Sequence, residues 1–168
     1  MDTTTPSPMS FNQFKASVEE LPSKVAVKLR EGYINRFVDT TLGFYRKNIA
    51  NLELHVDGWC YEGYLWDCLR NPTVITLADL EALLLKEPGS LYVMWDIHSR
   101  DKVLIPNYWK FDRASVLAVR SDVLANNLSY LPEDLYIFDH ELNWTLVITH
   151  EEANGGGRLC MSAVVPTD

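Results

Sequence analysis

The side chains that could transfer protons or bind a metal are centred on the histidines of this chain. His150 is the best placed, because Glu151 and Glu152 follow it directly and a carboxylate beside an imidazole suits general acid–base chemistry. A small hydrolase or transferase with a site near His150 and Glu151 is therefore one interpretation. A metal site needs three or four converging ligands, and neither H-x-x-x-H nor H-E-x-x-H occurs, so we expect no metal. The histidines are His55, His98, His140 and His150.

The cysteines are not arranged for nucleophilic or redox chemistry. A reactive thiol needs an electropositive neighbour, whereas Cys68 follows Asp67, whose negative charge raises the pKa of a thiol. There is no C-x-x-C pair among Cys60, Cys68 and Cys160, so we expect reduced structural thiols in a cytoplasmic protein. The glycine run at 155–157 lacks the G-x-x-x-x-G-K pattern of a phosphate loop. We therefore predict no catalytic residue and no cofactor.

The most unusual segment is residues 57–69, which combines two Trp, two Tyr and three carboxylates. Trp and Tyr bury a large area with few rotatable bonds, and a carboxylate can accept two hydrogen bonds from an arginine. The segment therefore predicts either a partner-binding surface or a core segment with polar edges. The candidate anchors are Trp59, Tyr61, Tyr64 and Trp66, and the candidate carboxylates are Asp57, Glu62 and Asp67.

Negative charge is concentrated in two stretches of the chain. The formal net charge is −8, and residues 51–100 carry three Lys/Arg against eight Asp/Glu. Residues 121–168 carry one Lys/Arg against eight Asp/Glu. Sequence-independent binding to nucleic acid or to anionic lipid requires clustered Lys and Arg, so both functions are disfavoured. Acidic stretches that also hold aromatic residues favour a basic protein partner. The oligomeric state cannot be inferred from the sequence.

One short segment resembles a known family. The sequence Leu65-Trp66-Asp67-Cys68-Leu69 is similar to the recognition helix of the barstar family of ribonuclease inhibitors, in which the Trp-Asp pair plugs the nuclease active site. The resemblance implies that Trp66 and Asp67 contact a partner. One turn earlier the family has an aspartate where this chain has Gly63, and the order of elements differs, so the barstar fold is not implied.

The chain as a whole also resembles bacterial immunity proteins, which are compact acidic inhibitors of toxins. This resemblance implies a non-enzymatic protein that binds and neutralises a cationic toxin, a nuclease, by capping its active site. Electrostatic attraction would speed the association, because a site that acts on nucleic acid is electropositive. A regulatory module that binds a peptide along a sheet edge is a further alternative.

The spacing of apolar residues predicts one α+β domain over residues 10–168, after a flexible N-terminal tail at residues 1–9. Helices come first and strands dominate the end, which favours a mainly antiparallel sheet with additional short helices. The start of the chain has no secretory-signal pattern, and no run of about 18 apolar residues predicts a membrane span.

The individual elements follow from caps, breakers and periodicity. The predicted helices are 10–21, 24–48, 59–69, 76–87 and 122–128, the last of these capped by Ser121. Gly32 and Gly43 are expected to weaken or break the second helix, and a strand is the alternative for 59–69. The predicted strands are 52–56, 91–97, 102–105, 135–138, 144–149 and 159–165.

Overall fold

The computed structural model describes residues 9–50, 63–96 and 110–166. Within these ranges the chain forms a seven-stranded antiparallel sheet in the order β1-β4-β3-β5-β6-β7-β2, with helices on both faces. The α+β prediction is confirmed. The strands are β1 Glu19–Glu20, β2 Thr73–Ile75, β3 Ser90–Trp95, β4 Leu117–Arg120, β5 Leu135–Phe138, β6 Trp144–Glu152 and β7 Arg158–Val164.

The helices of the described ranges are short, apart from the second. They are α1 Phe11–Ser17, α2 Ser23–Phe37, α3 Gly43–Asn48, α4 Leu77–Lys86 and α5 Ser121–Ala125, with 3-10 turns at Leu65–Cys68 and Leu128–Tyr130. None of them is long and apolar enough to cross a membrane. The predicted strands 52–56 and 102–105, and the tail up to residue 8, lie outside the described residues.

The first two predicted helices are shorter in the structure. Helix α1 ends at Ser17, because Glu19–Glu20 pairs with β4 as an edge strand. The single helix predicted over 24–48 is wrong, since α2 ends at Phe37 and α3 begins at Gly43. Between the two, Val38 has extended backbone and forms a β-bridge with Leu69. The helix therefore ends at Phe37 because the next residue pairs with a backbone segment that is distant in sequence.

Capping residues explain where α4 begins and where the prediction for α5 fails. The Thr76 hydroxyl accepts from the Asp79 N–H at 3.0 Å, so α4 starts where the sequence predicts. The prediction that Ser121 is the N-cap of α5 is wrong. Ser121 is the first residue of α5, which ends at Ala125. Its hydroxyl donates instead to the Glu87 carbonyl at 2.6 Å, which ties α5 to the end of α4.

The core lies on both faces of the sheet. In β5, Leu135 and Ile137 pack on the face covered by α1, α4 and α5, whereas Tyr136 and Phe138 pack against α2 on the other face. All four are buried, which is why the strand is continuously apolar rather than alternating. The edge strands β1 and β2 have two and three residues, which leaves little backbone for adding a peptide strand.

Candidate binding surface

Of the segment 57–69, the structure describes residues 63–69, and these contain a turn rather than a helix. Leu65–Cys68 forms one 3-10 turn, and the Asp67 carboxylate accepts from the Tyr64 N–H at 2.9 Å. Over residues 63–69 the predicted helix is wrong, because the Cys68 carbonyl accepts from the Asp39 N–H at 2.8 Å and the Leu69 backbone pairs with Val38. These pairings pull the backbone into an extended conformation. Residues 59–62 of that prediction lie outside the described residues.

Helix α3 closes against the start of this turn at Gly63. A Cβ atom at Gly63 would lie 3.0 Å from Asn48 Cβ, from Ile49 Cγ1 and from the Phe44 ring. The aspartate that the barstar family has here would not fit without displacing α3. Glycine at this position therefore lets α3 approach the turn closely.

A buried polar network holds the turn against the sheet. The Leu65 N–H donates to Asp96 Oδ1 at 3.1 Å, and the Trp66 N–H donates to the Tyr136 hydroxyl at 2.9 Å. The Tyr136 hydroxyl in turn donates to Asp96 Oδ2. Asp96 is 2% exposed and Tyr136 is fully buried, so neither group has water as an alternative partner.

Asp134 joins the turn to strand β6. Its Oδ1 accepts from the Trp66 indole N–H at 3.1 Å and from the His150 backbone N–H at 3.1 Å. The same oxygen lies 2.9 Å from His150 Nδ1. The Asp134 side chain is 4% exposed and that of His150 is 28% exposed, so a buried carboxylate orients a partly exposed imidazole.

Three rings form a cluster on this surface. The Tyr64 and Trp66 rings stack with centroids 5.3 Å apart at 14°. The His150 ring lies 4.9 Å from Tyr64 and 6.1 Å from Trp66, both measured between centroids. Because the rings contact each other and Asp134 holds two of them, the surface is fixed before any partner arrives.

Two carboxylates border the rings. Asp67 is exposed, and the Glu151 side chain is 53% exposed with Oε1 3.9 Å from His150 Nε2. Partial burial raises the pKa of the Asp67 carboxyl, and the negative charges of Glu151 and Asp134 raise it further. Arg158 lies nearby, but its guanidinium donates to the backbone carbonyls of Thr149 and Glu133. The surface therefore holds negative charges close together, and a bound cation would reduce the repulsion between them.

We call Tyr64, Trp66, Asp67, His150 and Glu151 the acidic–aromatic surface. The sequence placed Trp66 and Asp67 in one candidate site and His150 and Glu151 in a rival one, and the structure brings them together. The other candidate contacts, Asp57, Trp59, Tyr61 and Glu62, lie outside the described residues.

Sequence reasoning missed the three buried groups that support the surface. Asp96 directly follows the buried end of β3, and Asp134 directly precedes the fully buried strand β5, which contains Tyr136. A carboxylate at the end of a buried strand requires hydrogen-bond partners, and this signal could have marked both aspartates. Their partners could not have been named, because residues 65, 66 and 150 are distant in sequence.

The Asp134–His150 pair has the carboxylate and the imidazole that a catalytic triad uses. A carboxylate that orients an imidazole also occurs in catalytic triads. In the described part of the chain, however, no hydroxyl or thiol is hydrogen-bonded to the His150 ring. The neighbouring Cys68 is buried, and burial together with the charges of Asp67 and Asp39 raises its pKa to about 11, which disfavours the thiolate. Nor do the described residues contain a group of three or more potential metal ligands.

No protein-family model matches this sequence. The searches of curated proteins and of solved structures also found no match. The resemblance to immunity proteins and to the barstar recognition helix thus stays a prediction.

Proposed function

We propose that this chain is an immunity-type protein that binds a cationic toxin, a nuclease, and neutralises it by capping the active site. The observation that carries the proposal is the pairing of exposed Asp67 and Glu151 with the rings of Tyr64, Trp66 and His150 on one surface. Aromatic anchors beside carboxylates suit a partner surface rich in arginine and lysine.

Two features of the surface lower the free-energy cost of binding a cationic partner. Fixed rings lose little rotational freedom on association, which lowers the entropic cost of binding. A cationic partner would neutralise the repulsion among Asp67, Glu151 and Asp134, so complex formation should lower the pKa of Asp67. A nuclease active site supplies positive charge, since it must attract phosphate.

The test begins with a tagged copy of the full chain expressed in its native host. Proteins that it retains are identified, purified and assayed for nuclease activity with and without this chain. The proposal predicts a basic nuclease that is inhibited at a one-to-one ratio. Recovery of a protein that this chain does not inhibit would contradict the proposal, as would the recovery of acidic partners alone.

Matched charge reversals locate the interface. The double variant Asp67→Lys with Glu151→Lys should lose inhibition of the captured nuclease. Glu19→Lys with Glu31→Lys makes the same change in net charge at exposed positions outside this surface, and it should retain inhibition. Equal loss in both variants would mean that net charge alone, rather than this surface, drives binding.

A second candidate function rests on the 2.9 Å contact between His150 Nδ1 and Asp134. The pair could orient a general base in a small hydrolase or transferase. The substitution His150→Ala separates the two functions: it would abolish an enzymatic activity, whereas an inhibitor would keep most of its affinity through Trp66, Asp67 and Glu151.

A further inference from the structure

The buried carboxylate of Asp96 is connected to the acidic–aromatic surface by a chain of hydrogen bonds. The Trp66 N–H donates to Tyr136 at 2.9 Å, and Tyr136 donates to Asp96. The neighbouring Leu65 N–H contacts Asp96 directly at 3.1 Å. Asp96 therefore holds two successive amides of the turn, one directly and one through a phenol.

Among the described residues, the titratable groups around Asp96 come from three parts of the chain. Helix α2 presents Arg30 and Tyr33, β5 presents Tyr136, and Asp134 lies just before β5. Arg30 is held in place because its guanidinium donates to the carbonyls of Trp95, Arg113, Ala114 and Ser115 at 2.8–3.3 Å. Asp112 also faces Arg30. Within the described ranges, Arg30 is thus the one cation that opposes the negative charges of Asp96, Asp112 and Asp134.

We propose that Asp96 is a positioning residue whose protonation state sets, through Tyr136, how firmly Trp66 is held in the acidic–aromatic surface. A phenol that donates to a carboxylate is polarised and becomes a stronger acceptor, so ionised Asp96 strengthens the Trp66 hydrogen bond. A protonated Asp96 donates to Tyr136 instead, and the phenol oxygen must then accept from both Asp96 and Trp66. The bond to Trp66 weakens.

The protonation of Asp96 falls within the physiological pH range. Burial raises the pKa of Asp96 to about 7, although the hydrogen bonds from Tyr136 and Leu65 act in the opposite direction. The turn is then held most firmly above pH 7 and less firmly below it. The claim that Asp96 controls partner affinity rests on the proposed function. The hydrogen-bond chain from Asp96 through Tyr136 to Trp66 can be tested on the free protein.

The test is a pH titration of the free protein by 15N-edited NMR from pH 5 to 9, following the Leu65 and Trp66 amides. The wild type should show one transition in both amides with a midpoint near 7, and the Trp66 amide proton should move upfield as the pH falls. Asp96→Asn should remove the transition from both amides. A Trp66 transition of unchanged size in Asp96→Asn would overturn the proposal, because its source would then not be Asp96.

The variant Tyr136→Phe provides a second test that does not alter Asp96. It removes the phenol that joins Asp96 to Trp66 but keeps the direct bond to Leu65. The Leu65 transition should remain, with a higher midpoint because the Tyr136 hydrogen bond lowers the pKa of Asp96, while the Trp66 transition should disappear. A Trp66 transition of unchanged size, or a flat Leu65 amide in the wild type, would overturn the proposal.

A binding arm keeps this inference separate from the proposed function. The affinity of the wild type for the captured nuclease should fall several-fold from pH 8 to pH 6, and Asp96→Asn should flatten the dependence. Failure to capture any nuclease would contradict the proposed function and leave the NMR result intact. An affinity that is equally pH-dependent in Asp96→Asn would overturn the control of binding by Asp96.

Discussion

The indole N–H of Trp66 donates to Oδ1 of Asp134 at 3.1 Å, and this bond ties a surface ring to a buried carboxylate. The same oxygen accepts from His150, so one side chain fixes two members of the acidic–aromatic surface. Exposed aromatic side chains on loops are usually free to change rotamer. Here hydrogen bonds within the fold set the geometry of the acidic–aromatic surface.

Asp134 should accordingly matter for stability as well as for binding. Asp134→Ala leaves the Trp66 indole and the His150 amide without their acceptor, and an unsatisfied buried donor costs about 1–3 kcal/mol. Urea denaturation should show a loss of that size. Glu151→Ala, at a half-exposed carboxylate of the same surface, is the control and should change the free energy of unfolding by less than about 0.5 kcal/mol. Equal effects would contradict the role given to Asp134.

Stability should depend on pH through Asp96. Burial raises its pKa from 3.8 to about 7, so its protonated form is favoured in the folded protein. The stability contributed by this shift is present below pH 4 and is lost as the pH rises through about 7. The free energy of unfolding should therefore fall by a few kcal/mol between pH 5 and pH 8. Asp96→Asn should show a shallower slope over that window, and parallel slopes would exclude Asp96 as the cause.

Two glycines form a matched pair for testing the contact between α3 and the turn. Gly63→Ala would place a Cβ 3.0 Å from Asn48, Ile49 and Phe44, and such overpacking costs about 1–3 kcal/mol. Gly43→Ala meets nothing within 4 Å at the start of α3 and should be neutral or stabilising by up to about 1 kcal/mol. Thermal denaturation of both variants checks the difference, and a reversed order would contradict the packing.

The cap of α4 provides a test of the fold that is independent of function. Thr76→Ala removes the hydroxyl that accepts from the Asp79 N–H, and the loss of such a cap costs about 1 kcal/mol. The Thr76→Ser variant keeps the hydroxyl and should retain most of the stability. Chemical denaturation that finds Ala and Ser equivalent would show that the cap contributes nothing.

Local signals in the sequence were sufficient for much of the sheet and for α4. The continuous apolar strand β5 and the capped helix α4 have patterns set by neighbouring residues, and both were predicted. The short strands β1, β2 and β4 were not, because two to four residues carry too little periodicity and are defined by pairing with neighbouring strands. The break after Phe37 likewise depends on the bridge between Val38 and Leu69.

The site was predicted in pieces for the same reason. The residue types of Trp66, Asp67 and His150 marked them as unusual, but their proximity results from the packing of the turn against β5 and β6. The roles of Asp96 and Asp134 depend on partners 31 and 16 residues away, respectively, so no sequence window contains them.

The most direct test of the account is the rate constant for association with the captured nuclease, measured by stopped flow from low to high salt. Electrostatic steering predicts a steep fall as salt screens Asp67 and Glu151. The Asp67→Lys with Glu151→Lys variant should associate at least ~10-fold more slowly at low salt, whereas Glu19→Lys with Glu31→Lys should stay close to the wild type. A rate constant that neither salt nor the surface variant changes would contradict the account.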